Sequence, residues 1–139
     1  MRIAIINGPN LNLLGKRETD IYGSESFESY LPKLKTLFSD IELLYFQSNT
    51  EGILIDAIQE FGFSADAIIL NPGGYSHSSV AIGDAVAAVP AKVVEVHVSN
   101  IFDREEFRKF SHVSAKCEGV ICGLGLKGYE LAIWFLTGR

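Results

Sequence analysis

A glutamate and a histidine, Glu95 and His97, stand two residues apart in the segment KVVEVHV. The segment is otherwise apolar and β-branched, so it reads as a strand, and alternation along a strand puts both side chains on one face. A carboxylate beside an imidazole orients the ring, an arrangement suited to proton transfer. Two polar groups on a central strand also need partners, and these two could do no more than satisfy each other. Their position at the carboxyl end of the strand favours function. Downstream, IFDREEFRKF sets Arg104 and Arg108 four apart, on one face of a short helix near 103–110. The interleaved Glu105 and Glu106 equally suit a solvated charged helix. Upstream, NPGGYSHSS carries His77 between the pair Gly73-Gly74 and a helix start that Ser76 or Ser78 can cap. Glycine lets backbone approach a ligand, and helix N-termini favour anions. A glycine pair is a weak signal taken alone. His112 lies in a less informative stretch and reads as structural.

The connection after the first strand, NGPNLNLLGKRETDIYG, runs for about 16 residues where about four to six is usual. Such a loop reads as a lid or binding loop. It carries Asn10, Asn12, Arg17 and Tyr22; a plain surface loop rich in turn-forming Asn, Gly and Pro is the alternative.

Strand and helix signals alternate along the chain and would position these groups. Strands are expected at 2–7, 41–47, 66–71, 92–98 and 119–123, and helices near 26–39, 51–61, 79–88, 103–110 and 127–137. In the second helix Ile53, Leu54, Ala57, Ile58 and Phe61 form one apolar face; in the last, Leu131, Trp134 and Phe135 do the same. Pro32 inside the first helix should kink it or force a late start. Five strands alternating with helices imply an α/β fold, a doubly wound, flavodoxin-like parallel sheet of order 2-1-3-4-5. No repeat, low-complexity tract or linker divides the chain, so residues 1–139 read as a single domain.

With 47% apolar and 21% charged residues, the composition is that of a soluble globular protein. No apolar run is long enough to span a membrane. The short run in MRIAIINGPN reads as a strand and not a signal peptide, so a cytoplasmic location is expected. Cys117 and Cys122 are too few for a disulfide framework, and with three histidines they do not suggest zinc; both read as packing residues. A net charge of −5 argues against a nucleic-acid partner. It leaves room for an anionic small substrate, since a local arginine cluster can focus positive potential.

Four blocks together resemble the type II dehydroquinate dehydratases: NGPNLNLLGKRE with a following YG, ILNPGGYSHSSVAI, EVHVSNIFDREEFR and GVICGLGLKGYELA. They keep the family's order and spacing over nearly the whole chain. Gly83 departs from the pattern, where a larger, often charged residue is expected before Asp84, and Pro32 is atypical. The resemblance implies conversion of 3-dehydroquinate to 3-dehydroshikimate, a step of the shikimate route to aromatic compounds, in a homododecamer built from trimers. By position it makes Arg17 and Tyr22 a lid pair. It lines the substrate with Asn71, His77, Asp84, Val98, Ser99 and Arg108, with Asp84 supplied by a neighbouring subunit. It makes His97 the acid, with Glu95 behind it.

Elimination of water beside a ketone needs a strong base, and tyrosinate is suitable. A free phenol titrates near 10, so work at neutral pH requires roughly three units of lowering, about 4 kcal/mol. A cation about 4 Å away supplies that much at an effective dielectric near 20. Arg17 is the expected cation, with Arg104 in support. Asn10 would donate to the enolate, directly or through water. His97, held by Glu95, would protonate the leaving hydroxyl. Backbone N–H groups at Val98 and Ser99 would hold the substrate carboxylate, and Arg108, Asn71 and His77 its ring hydroxyls. The scheme requires no metal, nucleotide or lysine imine. The rival reading is a flavodoxin-like module for a nucleotide or flavin. The chain lacks both G-x-G-x-x-G after the first strand and a P-loop. A phosphorelay receiver would want acidic residues where this chain has Asn7 and Asn10.

Overall fold

Arg2–Asn7 (β1) is a β-branched run buried from its second residue onward, as a strand covered on both faces must be. The computed structural model describes residues 1–16 and 18–139. In it β1 pairs in parallel with Glu42–Gln47 (β2) on one side and Ala67–Asn71 (β3) on the other. Lys92–His97 (β4) continues from β3, and Gly119–Cys122 (β5) closes the far edge. The order β2-β1-β3-β4-β5 is the expected one. Thr19–Tyr22 is a one-turn helix (α1) in the long first connection. Phe27–Leu37 (α2) and Lys127–Thr137 (α5) supply the core on one sheet face, where Ile3, Ile5, Val94 and Val96 meet Phe27, Leu34, Tyr129 and Ile133. Glu51–Ser64 (α3) and Val80–Ala88 (α4) do so on the other, where Ala4, Ile6, Ile68 and Leu70 meet Leu54, Ile58, Ile82 and Val86.

Several local expectations are corrected. Of the two outcomes expected from Pro32, a kink or a late start, the late start does not occur: Ser26 Oγ caps the helix by accepting from Ser29 N at 3.2 Å, and the fully buried Phe27 anchors its first turn. In α3 the inward face is Leu54, Ala57, Ile58 and Gly62, while Ile53 is exposed. In α5 the inward face is Gly128, Tyr129, Ala132 and Ile133, and Leu131 and Phe135 face outward. Both faces of α5 are apolar at helical spacing, so periodicity alone does not choose between them. Gly128 does: a Cβ there would lie 3.2 Å from the Val96 side chain, so the helix backbone itself rests on the sheet. Residues near 103–110 are not one helix. They form two 3-10 turns, Ile101–Asp103 and Glu106–Lys109, broken by an extended Arg104. The cap of α4 is Ser79, whose Oγ accepts from Ile82 N at 3.0 Å; a preceding 3-10 turn, Gly73–His77, delays the helix past Ser76 and Ser78.

Candidate active site

The strand order reverses between β1 and β3, and ligands in such sheets bind outside the carboxyl ends at that point. Here the connections after β1 and β3 cross at contact distance. A Cβ on Gly8 would lie 2.7 Å from the Pro72 carbonyl oxygen, so only glycine permits the crossing. Beneath it a buried chain of hydrogen bonds joins the strand ends. Tyr129 donates to Asn7 Oδ1 at 2.7 Å and accepts from Asn71 Nδ2 at 2.9 Å. Asn71 Oδ1 accepts from Gly73 N at 3.1 Å, so its amide is held in one orientation.

Above these ends lies a cavity of about 210 Å³. Asn10, Tyr22, Asn71, His77 and His97 line it. So do Val98, Ser99, Arg104 and Arg108, although the two arginines reach it from separate turns and not from one helical face. Asp84 does not line it; it is exposed on α4. Arg17 lies outside the described residues.

His97 and Glu95 meet as their alternation on β4 predicts. His97 Nε2 is 2.6 Å from Glu95 Oε1, and both side chains are buried. Ser76 donates to the same carboxylate at 2.5 Å, and Ser114 donates to its other oxygen. Burial pushes the Glu95 carboxyl up, but the hydrogen bond and charge of His97, with the two hydroxyls, outweigh that and hold it below the usual glutamate range. The ionised carboxylate accepts Nε2–H, which leaves Nδ1 to act on a ligand.

His77 stacks on His97 with centroids 6.0 Å apart. Its Nδ1 is 2.7 Å from the Phe110 carbonyl oxygen, which can only accept, so Nδ1 carries the proton. Burial lowers this imidazole's pKa; the Phe110 carbonyl opposes that, while the charges of His97 and Arg108 add to it. His77 is therefore neutral at pH 7 and offers Nε2 as an acceptor.

Tyr22 lies in the half-buried rim of the cavity. Arg104 Nη1 donates to its Oη at 2.7 Å and to Ser99 Oγ at 3.3 Å. A guanidinium so placed stabilises negative charge on the phenol oxygen. Arg108 is held by Glu105 at 2.9 Å. Three serines, Ser76, Ser111 and Ser114, gather around Glu95, and the sequence does not single them out for this place. Ser76 suits a helix cap by position, and Ser111 and Ser114 suit a polar loop. Their signal was indirect: a carboxylate on a central strand must find donors. Gly83 is accounted for by the same segment. A Cβ at Gly83 would lie 2.3 Å from the His112 carbonyl oxygen, so its absence lets the serine-bearing loop press against α4.

Among the described residues no cluster of three or more His, Cys, Asp or Glu side chains could hold a metal ion. A family model described as Dehydroquinase class II matches residues 1–137. A 3-dehydroquinate dehydratase of Prochlorococcus marinus (strain NATL1A) is 49% identical over 135 residues, covering 96% of this chain and 93% of that one. A 3-dehydroquinate dehydratase of an Exiguobacterium species is 51% identical over 134 residues, covering 96% and 92%. The solved type II dehydroquinase of Butyrivibrio crossotus DSM 2876 superposes with a TM-score of 0.95 at 49% identity, over 99% of this chain and 97% of that one.

Proposed function

The chain belongs to the class II dehydroquinase family, and from that membership we propose that it converts 3-dehydroquinate to 3-dehydroshikimate by anti elimination of water through an enolate. The observation that carries the reading is that an arginine-bonded tyrosine and a carboxylate-bonded histidine line one cavity. Tyr22, as phenolate, takes the proton from the carbon beside the ketone, and the electron pair moves onto the ketone oxygen. Asn10 donates to that oxygen, directly or through water. The enolate then collapses, the carbon–oxygen bond breaks, and His97 gives its Nδ1 proton to the departing hydroxyl, which leaves as water. Tyr22 and His97 end with their protonation exchanged, and solvent resets them.

Arg104 supports the phenolate, and Arg17 acts with Tyr22 as the lid pair. Backbone N–H groups at Val98 and Ser99 take the substrate carboxylate. Asn71, with its amide fixed by Tyr129 and Gly73, His77 through Nε2, and Arg108 take the ring hydroxyls. No cofactor takes part. Asp84 serves the site of a neighbouring subunit in a homododecamer of trimers. The reaction belongs to the cytoplasmic shikimate route. Incubation with 3-dehydroquinate, followed by the ultraviolet absorbance of a conjugated product, tests the activity; no absorbance change would refute it. Borohydride with substrate present should leave the enzyme active, and covalent trapping on a lysine would replace the enolate with an imine. Dilution to monomers should abolish activity before unfolding, and a fully active monomer would remove Asp84 from the site.

A further inference from the structure

Glu95 is fully buried, and a buried carboxylate needs donors for its lone pairs. The protons around it can be followed one at a time. Ser111 Oγ accepts the backbone N–H groups of Val113 and Ser114, each at 3.0 Å. A hydroxyl oxygen has two lone pairs and one proton, so Ser111 must donate onward. Ser76 Oγ is 2.9 Å away and Glu95 Oε1 is 3.5 Å away, which makes Ser76 the better acceptor. Ser76 in turn donates to Oε1 and Ser114 to Oε2. His97 completes the set with Nε2–H on Oε1. A proton on Oε2 would meet the Ser114 hydroxyl. A proton on Oε1, aimed at His97, would leave Ser76 donating to a carboxylic-acid hydroxyl, a weak acceptor.

We propose that Ser76, Ser111 and Ser114 are positioning residues for the acid: their hydroxyls hold Glu95 as an anion, so the proton it shares with His97 stays on Nε2 and the ring gives up its other proton, the one on Nδ1. The consequence for turnover rests on the reading of His97 as the acid; the placement of the proton does not. The depressed carboxyl of Glu95 agrees in direction. Four other titratable or charged groups bear on the pair, directly or through one another. His77 stacks on the ring, and the charge of Arg108 acts on His77. Burial, with the charges of Glu95 and Glu118, pushes the Cys117 thiol up to about 12, so it stays neutral. The serine substitutions leave all of these side chains in place.

The test is nitrogen NMR of the His97 ring in ligand-free enzyme across pH, beside the pH profile of kcat/KM. The variants are Ser76→Ala/Ser114→Ala, Ser114→Ala alone at its half-buried position, and Ser114→Thr, which restores the hydroxyl. In the wild type the ring should carry the shared proton and, once neutral, retain Nε2–H. In the double variant the proton should pass to Glu95, so the ring reads as neutral at lower pH. The basic limb of the profile should then fall by about one pH unit or more. Ser114→Ala should show part of that shift, and Ser114→Thr should return to wild type. An unshifted ring titration in folded Ser114→Ala or in the double variant would overturn the proposal, as would a neutral wild-type ring protonated at Nδ1. Failure of the catalytic reading looks different: His97→Ala would keep its turnover while the NMR result stood.

Discussion

His97 and Glu95 sit on a strand, 5% and 0% exposed, with serines converging on the carboxylate. Tyr22 and Arg104 sit on connections: a one-turn helix with no buried residue and an extended break between two 3-10 turns. The side of the cavity that carries the proposed acid is thus fixed by the same sheet that makes the core. The side that carries the proposed base is assembled from irregular connections and includes a guanidinium–phenol hydrogen bond of 2.7 Å. Low dielectric strengthens the first pairing, while solvent can weaken the second. For the proposed elimination, this places the acid on rigid backbone and the base on irregular connections.

The largest effect is expected at Tyr22. Tyr22→Phe should keep the fold and substrate affinity but lower kcat by about 100- to 10,000-fold. Near-normal turnover in that variant would remove Tyr22 from the chemistry. Arg104→Ala deletes a charged hydrogen bond and should lower kcat by about 10- to 100-fold, with little change in thermal midpoint because its surroundings are loops. A large loss of stability would mean that the base side is built into the core after all.

On the acid side the expected signature is reversed, with stability moving alongside rate. Glu95→Gln puts an amide among donors, and should lower kcat about tenfold and also lower the thermal midpoint. Because the folded Glu95 carboxyl is depressed, its contribution to stability is present above the ordinary glutamate value and is lost as pH falls through the lower folded value. The gap between wild type and Glu95→Gln should therefore close on acidification; a constant gap in denaturant midpoints would contradict this. The smallest effect concerns His77. Its folded pKa is depressed, so the unfolded chain binds more protons between that value and the ordinary histidine value near 6.5. Wild-type stability should drop slightly as pH falls through this window, and His77→Asn should flatten the drop. Equal slopes for the two proteins would show that His77 is not shielded as described.

The two sides also differed in legibility. The sheet order followed from alternating strand and helix signals, and the Glu95–His97 contact from period-two geometry within one strand. Arg104 meeting Tyr22 joins positions 82 apart through irregular backbone, and no periodicity encodes that. The outward turn of Leu131 and Phe135 escaped because both faces of α5 are apolar, and a glycine at position 128 chose between them through backbone contact. Ser111 and Ser114 escaped because a serine pair in a polar loop looks like turn chemistry until the carboxylate it faces is known.

In the proposed reaction Tyr22 and His97 act as separate base and acid, and the pH profile of kcat/KM tests this most directly. With Tyr22 required as phenolate and His97 as imidazolium, the profile should be bell-shaped, its limbs macroscopic values of the free enzyme. Arg104→Ala should move only the acidic limb, upward, since it removes a cation that favours the phenolate. Glu95→Gln should move only the basic limb, downward, since it removes the anion that favours imidazolium. Wild type and both variants measured side by side should show these two independent shifts. Coincident limbs in all three proteins, or both variants shifting the same limb, would contradict the assignment.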